Sequence, residues 1–592
     1  MSRQFNHSLY LLLAITVAGA GSAVSRAGSK PDVLVDQPVV LPKKASPVAL
    51  SLLTDRDVES GERMVVWIFF TDKGVFDKAS FDDAAASVKL TERALKRRRK
   101  VGRDRVLFVD LPVPGEYLQA IEKLGGKHRR TSRWLNAATF EVTNSQIQSI
   151  AALPFVFEIR PMRTLIRKLP EPVPDEELGD SQKSPAPQML NYGVSINQVA
   201  QINVPAAHEA GFTGQGVTLA IMDTGFRKSH TSFAQHWASG RVLGEWDFVQ
   251  DDGNTANETG DFGTQQNHGT YIWSTAAGEH SGNLYGPAYQ ANIILCKTEN
   301  VGSETRVEEH NWVAAVEFAD SIGADVITTS LGYLTFDNPA DNYTFADLDG
   351  QTTVISQQAS LCDGLGIVLC NSMGNSGPNP STLTAPADAF DILAVGAVNS
   401  GGLLAGFSAR GPTADGRSKP EVLAMGVATR CASPFLDNEY TNINGTSLST
   451  PLVAGAACLV IEAHPDWTPE QVREALKTTA SLAASYGQDA GDDNSLGYGI
   501  INVMAAINSS PACCTGAVGN VNGSDGEAAN VGDIAALIDY LFMTGEGVAC
   551  MHEADVNQSG GSNPLRKDIT VADISYLIEH LFLTQPDLPN CL

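Results

Sequence analysis

Positive charge is scarce in this chain. Lys and Arg number 41 against 67 Asp and Glu, a formal net charge of -26 at pH 7 over 592 residues. Such a surface repels phosphate backbones, so no nucleic-acid partner is expected. Long apolar runs are scarce too. The stretch Leu9–Ala18 follows Arg3 and precedes small residues at Gly21-Ser22-Ala23 and Ser25-Arg26-Ala27. It is shorter than the roughly 20 residues a helical span needs, and it has the layout of a secretory signal over 1–27. No later stretch is long and apolar enough to span, so the expectation is a secreted, extracellular protein with no membrane span. Cysteine is sparse and odd in number, nine in all, which leaves at least one thiol unpaired within the chain. Cys513, Cys514, Cys550 and Cys591 lie near the C-terminus and are the better disulfide candidates in an exported protein. Cys458 sits among small apolar residues and reads as a core thiol.

At 43% hydrophobic the chain is globular, and it is too long for one domain of about 100–200 residues. Its organising stretch is Asn444-Gly445-Thr446-Ser447-Leu448-Ser449-Thr450-Pro451, followed by the small residues Ala454-Gly455-Ala456-Ala457. This reads as a glycine turn, one serine and a deeply buried helix, with Pro451 expected in the first helical turn. A serine there sits at the positive end of the helix dipole, where an oxyanion is stabilised. Taken alone it reads equally as a helix cap. Two further stretches change the balance. Val217–Met222 is an apolar strand ending at Asp223-Thr224-Gly225, and His268 precedes Gly269-Thr270.

The order Asp, His, Ser resembles that of the subtilisin-like serine peptidases, the subtilases. The serine block is similar to that family's GTSMATPHVAG motif, with Leu452 where the family often has histidine. The other two blocks resemble its strand-DTG and HGT motifs. Gly374-Asn375-Ser376-Gly377, after the strand Ile367–Asn371, resembles its oxyanion loop. The resemblance implies Ser447 as nucleophile, His268 as general base, Asp223 as its orienting partner and Asn375 as oxyanion donor. It also implies a substrate edge at Ser330-Leu331-Gly332, onto which an extended polypeptide adds as a strand. No organic cofactor is implied. A sedolisin-type acid peptidase would need glutamate for His268 and aspartate for Asn375. An α/β-hydrolase esterase would need Gly-x-Ser-x-Gly, and Gly445-Thr446-Ser447-Leu448-Ser449 lacks the closing glycine. A third alternative is an attachment protein in which the peptidase fold only scaffolds.

The expected fold class is α/β, a parallel sheet covered by helices on both faces. Strands are expected at Val217–Met222, Ile293–Leu295, Val326–Ser330, Ile367–Asn371 and Ile392–Val398, with a helix over Val307–Ile322. The peptidase domain is placed at 188–510, with a capping box from Thr468 to Gln471. Before it, 28–168 alternates strands (Met64–Thr71, Val106–Leu111, Trp134–Val142, Val156–Ile159) with helices (Leu90–Arg99, Tyr117–Leu124, Ser145–Leu153). This α+β unit resembles an inhibitory pro-domain, and the proline-rich acidic stretch 169–187 reads as the linker. The basic run Arg93, Lys96–Lys100 reads as a solvated face, a nucleic-acid patch, or a surface docking the pro-domain on the acidic enzyme. The third reading predicts binding that weakens with salt.

Residues 511–592 carry a duplication, Val531–Thr544 and Val571–Thr584, each preceded by an oxygen-rich loop. The pair resembles a small α-helical dockerin-like module, and the resemblance implies calcium held by Asn520, Asn522, Asp525 and Asp533 in the first loop and Asp555, Asn557, Ser559, Asp568 and Asp573 in the second. It also implies a cohesin-like or cell-surface partner. Both loops are longer than the family's, the second by Gly561–Lys567. Two surface turns before helices are the alternative. Asp347 and Asp349 beside Gly350 fit either calcium or an Asx turn.

Overall fold

The computed structural model describes residues 63–162, 190–301, 307–334, 342–482 and 493–509, with 518–519, 521, 529–542, 554, 556–557, 569–583 and 588 near the C-terminus. The expected signal segment and linker, with Cys513, Cys514, Cys550 and Cys591, lie outside the described residues. So do Asn520, Asn522, Asp525, Asp555, Ser559 and Asp568.

The pro-region folds as β1 Arg63–Phe70, α1 Lys78–Ala85, α2 Glu92–Arg99, α3 Gly115–Lys123, β2 Lys127–Ser132, β3 Ala137–Thr143, α4 Asn144–Ala151 and β4 Val156–Pro161. The sheet order is β2-β3-β1-β4 and all three pairs are antiparallel. Strand alternation splits β1: Val66, Ile68 and Phe70 pack under α3 and α4, while Trp67 and Phe69 face the peptidase domain. The strand expected at Val106–Leu111 is instead a 3-10 turn at Phe108–Asp110. The Asp110 carboxylate accepts the Leu107 N–H (2.8 Å) and grips Arg98, so a tertiary ion pair overrides the local β preference.

The large sheet of the peptidase domain has seven strands: β5 Thr218–Asp223, β6 Val242–Asp247, β7 Asn292–Lys297, β8 Val326–Thr329, β9 Val368–Ser372, β10 Leu393–Val398 and β11 Val422–Met425. They form one parallel sheet in the order β11-β10-β9-β8-β5-β7-β6. Side chains alternate between two cores. Leu219 and Ile221 face α5 Asn267–Ala277 and α8 Thr446–Ala463, whereas Ala220 and Met222 face α6 Val307–Ile322 and α7 Val354–Leu361. Both faces are therefore covered, as a parallel sheet requires. Helix α9 Pro469–Thr478 opens with the Thr468–Gln471 capping box. By length and composition α8 could cross a membrane, but 89% of its apolar window is buried in this core.

Helix α8 begins at Thr446, so Pro451 falls in its interior and not in its first turn. The carbonyl that a residue-451 N–H would have bonded belongs to Ser447. The Ser330 hydroxyl donates to it instead, at 2.9 Å. Near the C-terminus, α10 Val531–Phe542 and α11 Val571–Ile578 share a small apolar core through Ile534, Leu537, Ile574 and Leu577.

Candidate active site

Parallel-sheet proteins collect reactive groups at the carboxyl ends of their strands. Asp223 closes β5, Ser330 follows β8, and Asn375 follows β9. His268 lies at the start of α5, and Ser447 is the second residue of α8. The two helices pack directly. A Cβ on Gly455 would sit 2.9 Å from the Ala276 carbonyl oxygen, so only glycine permits this approach.

Asp223 and His268 are fully enclosed, at 0% and 1% exposure, and Ser447 is at 4%. The His268 Nδ1 lies 2.7 and 2.9 Å from the two Asp223 carboxylate oxygens. The Thr224 backbone N–H donates to Asp223 Oδ1 at 2.7 Å, which fixes the carboxylate. Beyond the imidazole, the Gly269 N–H donates to Thr224 Oγ1 at 3.3 Å. A Cβ on Gly269 would lie 2.2 Å from the Gly225 carbonyl, so α5 meets the β5 turn backbone to backbone.

Two further ties set the serine turn. The Ser447 hydroxyl donates to the Ser330 carbonyl at 3.4 Å. Asn375 accepts the Thr446 N–H (2.9 Å) and the Thr446 hydroxyl (3.1 Å) on its side-chain oxygen, so its amide is oriented from the residue preceding Ser447. Of the expected substrate edge, Ser330 and Leu331 are buried and Gly332 is exposed. The next residue, Tyr333, bridges to Ala385 through two backbone hydrogen bonds of 2.8 and 3.2 Å.

Sequence reasoning missed Thr384. Its hydroxyl is buried without a hydrogen-bond partner among the described residues and reaches toward Gly332 and Gly374, within 2.2 and 3.1 Å of where their Cβ atoms would be. Nothing in a lone threonine twelve positions past β9 signals this. Also missed was the group Asp247, Asp252 and Glu258, whose carboxylate oxygens lie within 4.8 Å of one another. The acid density between Asp247 and Asp261 was the available signal. Glu258 Oε1 is buried with no hydrogen-bond partner among the described residues. Asp247 faces the Lys297 ammonium at 2.6 Å, and burial pushes its carboxyl above the usual range.

The remaining metal candidates divide. Asp347 takes the Thr344 N–H (2.7 Å), and Asp349 takes the N–H groups of Gln351 and Thr352 (2.8 and 2.7 Å); both sit in turns. Asp533 and Asp573 are fully buried at equivalent helix starts, where they accept the N–H groups of Asn530 (2.7 Å) and Thr570 (2.8 Å). Asn557 donates its N–H to Asp573 at 3.1 Å, joining the second loop to its helix. Cys296, Cys370, Cys431 and Cys458 are buried free thiols, and Cys362 is buried as well.

Known proteins share this architecture. Residues 214–499 match the Subtilase family, and residues 65–174 match the Peptidase S8 propeptide domain of Bacteroidota. Subtilisin E of Bacillus subtilis (strain 168) is 32% identical over 393 residues, covering 65% of this chain and 84% of that protein. Subtilisin of Bacillus pumilus is 34% identical over 326 residues, 54% of this chain and 99% of that protein. Among solved structures, fervidolysin from Fervidobacterium pennivorans superposes with a TM-score of 0.54 at 19% identity, over 83% of this chain and 68% of that one, a likeness of fold. The buried Asp223–His268 pair thus lies in a chain that belongs to the subtilase family of serine endopeptidases and carries a propeptide domain.

Proposed function

We propose that the chain is an exported proenzyme that hydrolyses peptide bonds through Asp223, His268 and Ser447. The observation that carries this reading is the enclosed Asp223–His268 pair, with its Nδ1–Oδ1 separation of 2.7 Å, on a helix packed against the one that bears Ser447. A substrate strand adds along Ser330, Leu331 and Gly332. Ser447 Oγ attacks the scissile carbonyl while His268 Nε2 takes the proton, later returning it to the leaving amine. Asp223 accepts from Nδ1–H, which selects the working tautomer and stabilises the imidazolium. The oxyanion is met by the Ser447 N–H at the positive end of α8 and by the Asn375 amide, whose oxygen is held by Thr446. Ser447→Ala tests it. Caseinolysis should vanish while the protein still folds; retained hydrolysis would overturn the assignment. Mass spectrometry of the mature wild-type protein would locate the signal and propeptide cuts, the latter expected near Arg160–Lys168 or within 169–187.

Calcium fits two places. Asp247, Asp252 and Glu258 offer hard oxygen donors, including the orphaned Glu258 Oε1, on the loop that leads to α5. An ion there would balance the charge of these carboxylates and tie the end of β6 to the loop that follows it. In the C-terminal stretch, Asp533, Asn557 and Asp573 belong to a dockerin-like duplication for calcium-dependent attachment, with a cohesin-like or cell-surface partner. The buried, matched positions of the two acids support that reading. Calcium titration of the Ser447→Ala chain, read by thermal unfolding and helicity, should raise both; no response removes calcium.

A further inference from the structure

The pro-domain touches the peptidase domain far from the active site as well as along α6. The basic helix α2 lies against the turns that precede β8 and β9, at the amino edge of the sheet. The candidate site occupies the carboxyl edge of the same strands, about 20 Å further on from Ala324 to Ser330 at ~3.3 Å per residue.

The contact is built from both sides. Thr91 caps α2 by accepting the Ala94 N–H (3.2 Å), and its hydroxyl donates to the Ile322 carbonyl at the end of α6 (2.7 Å). Arg97 is 1% exposed; it donates to the carbonyls of Ala324 (2.7 Å) and Leu365 (3.0 Å) and pairs with the fully buried Asp320 carboxylate. Arg98 is held within the pro-domain by Asp110, through bonds of 2.6 and 2.8 Å, and extends to Asp320 at 2.6 Å. Arg103 donates to the Gly364 carbonyl at 2.5 Å.

Two glycines shape the seat. Gly323 and Gly366 have φ of +104° and +86°, and Cβ atoms there would stand 2.6 Å from Arg93 Cβ and 3.0 Å from the Arg97 carbonyl. The turns are therefore moulded to the backbone of α2 and not only to its charge.

We infer that Asp320, with the Gly323 and Gly366 turns, forms a docking seat separate from the active site, and that its occupant is the Arg97–Arg98 helix of the chain's own pro-domain. Arg98 arrives already ordered by Asp110. Arg97 draws its carboxylate from α6, so Arg97 reports docking most directly. Cutting the linker leaves this grip intact, because nothing in it depends on the linker or on Ser447. Buried pairs are screened little by salt. Salt sensitivity thus falls on the more open cross-domain pairs, Lys100–Asp325 at 3.7 Å and Arg130–Asp251 at 3.1 Å. The inference rests on the propeptide domain and not on the roles given to Asp223, His268 and Ser447.

The test uses the full-length Ser447→Ala chain with a site-specific protease sequence placed in 169–187. After cutting, pro-domain release is followed by size exclusion and by dissociation rate. Removing one partner of a buried ion pair strands the other charge. Arg97→Gln and Asp320→Asn should each release on the order of a hundredfold faster than the parent. Arg99→Gln, on the exposed face of α2, should match the parent. The uncut variants should keep the parent's helicity, which separates docking from a general folding defect. Release of Arg97→Gln at the parent rate would overturn the inference. So would equal acceleration by Arg99→Gln.

Discussion

Gly269→Ala is the sharpest probe of how the site is held together. The new Cβ would stand 2.2 Å from the Gly225 carbonyl and 2.9 Å from the Phe226 ring. Real Cβ atoms essentially never come closer than 3.0 Å to such an atom, so the helix or the turn must retreat by nearly 1 Å. The helix has little room to do so. At its other end Ala276 is pressed by Gly455, where an added Cβ would find only 2.9 Å. The displacement therefore falls on the junction between Asp223 and His268, whose separation is 2.7 Å. Overpacking of this kind costs about 1–3 kcal/mol of stability. A misplacement of about 1 Å in a catalytic group costs on the order of a hundredfold in rate. The assay is kcat and KM on a chromogenic peptide, with thermal unfolding measured on the Ser447→Ala background to avoid self-digestion. The fall should lie in kcat, since the proposed substrate edge is untouched. Activity within threefold of the parent, with unchanged unfolding, would show that the Gly225 turn yields freely and that the tight approach does not set the pair.

Further outcomes follow from individual side chains. Asp223→Asn should keep the fold and lower kcat by about 10⁴, the imidazole having lost its tautomer control; a loss under tenfold would refute that role. Thr384→Val removes an orphaned hydroxyl beside Gly332 and Gly374 while keeping its shape. It should shift kcat/KM between polar and apolar residues on the acyl side of the cut bond by at least severalfold, read from a peptide series; an unchanged ranking would show that the hydroxyl does not face substrate. His236 is buried with neither ring nitrogen bonded among the described residues, and burial, aided by Arg241, pushes its pKa down to about 3 from 6.5. The unfolded chain then binds the proton first, so stability is full above about pH 6.5 and is lost as pH falls toward 3. At about pH 4.5 the deficit is roughly 2–3 kcal/mol, and His236→Leu should flatten that part of the unfolding curve; an unaltered slope would refute it.

Much of the fold was legible because its central strands are unbroken apolar runs. β5, β7, β8, β9 and β10 begin and end within two residues of the expected limits. β6 was not legible, since Gly244 and Glu245 break its pattern, and β11 is only four residues long. β2, Lys127–Ser132, carries no apolar residue at all. It is a strand because its side chains find partners across the domain boundary, Arg130 at Asn311 (3.0 Å) and Ser132 at Glu317 (2.6 Å). The candidate site was readable because each group sits in a short motif fixed by local backbone need. The seat for α2 was not, because Arg97 meets Asp320 across 223 residues of sequence. No periodicity records such a pairing.

Pro451 has a consequence beyond the helix that contains it. Any other amino acid at that position would bring a backbone hydrogen aimed at the Ser447 carbonyl. The Ser330 hydroxyl would then compete for an acceptor it now holds at 2.9 Å. A missing atom in α8 thus lets the end of β8, the proposed substrate edge, be stitched to the turn that carries the proposed nucleophile, so that the two travel as one piece when either is pushed.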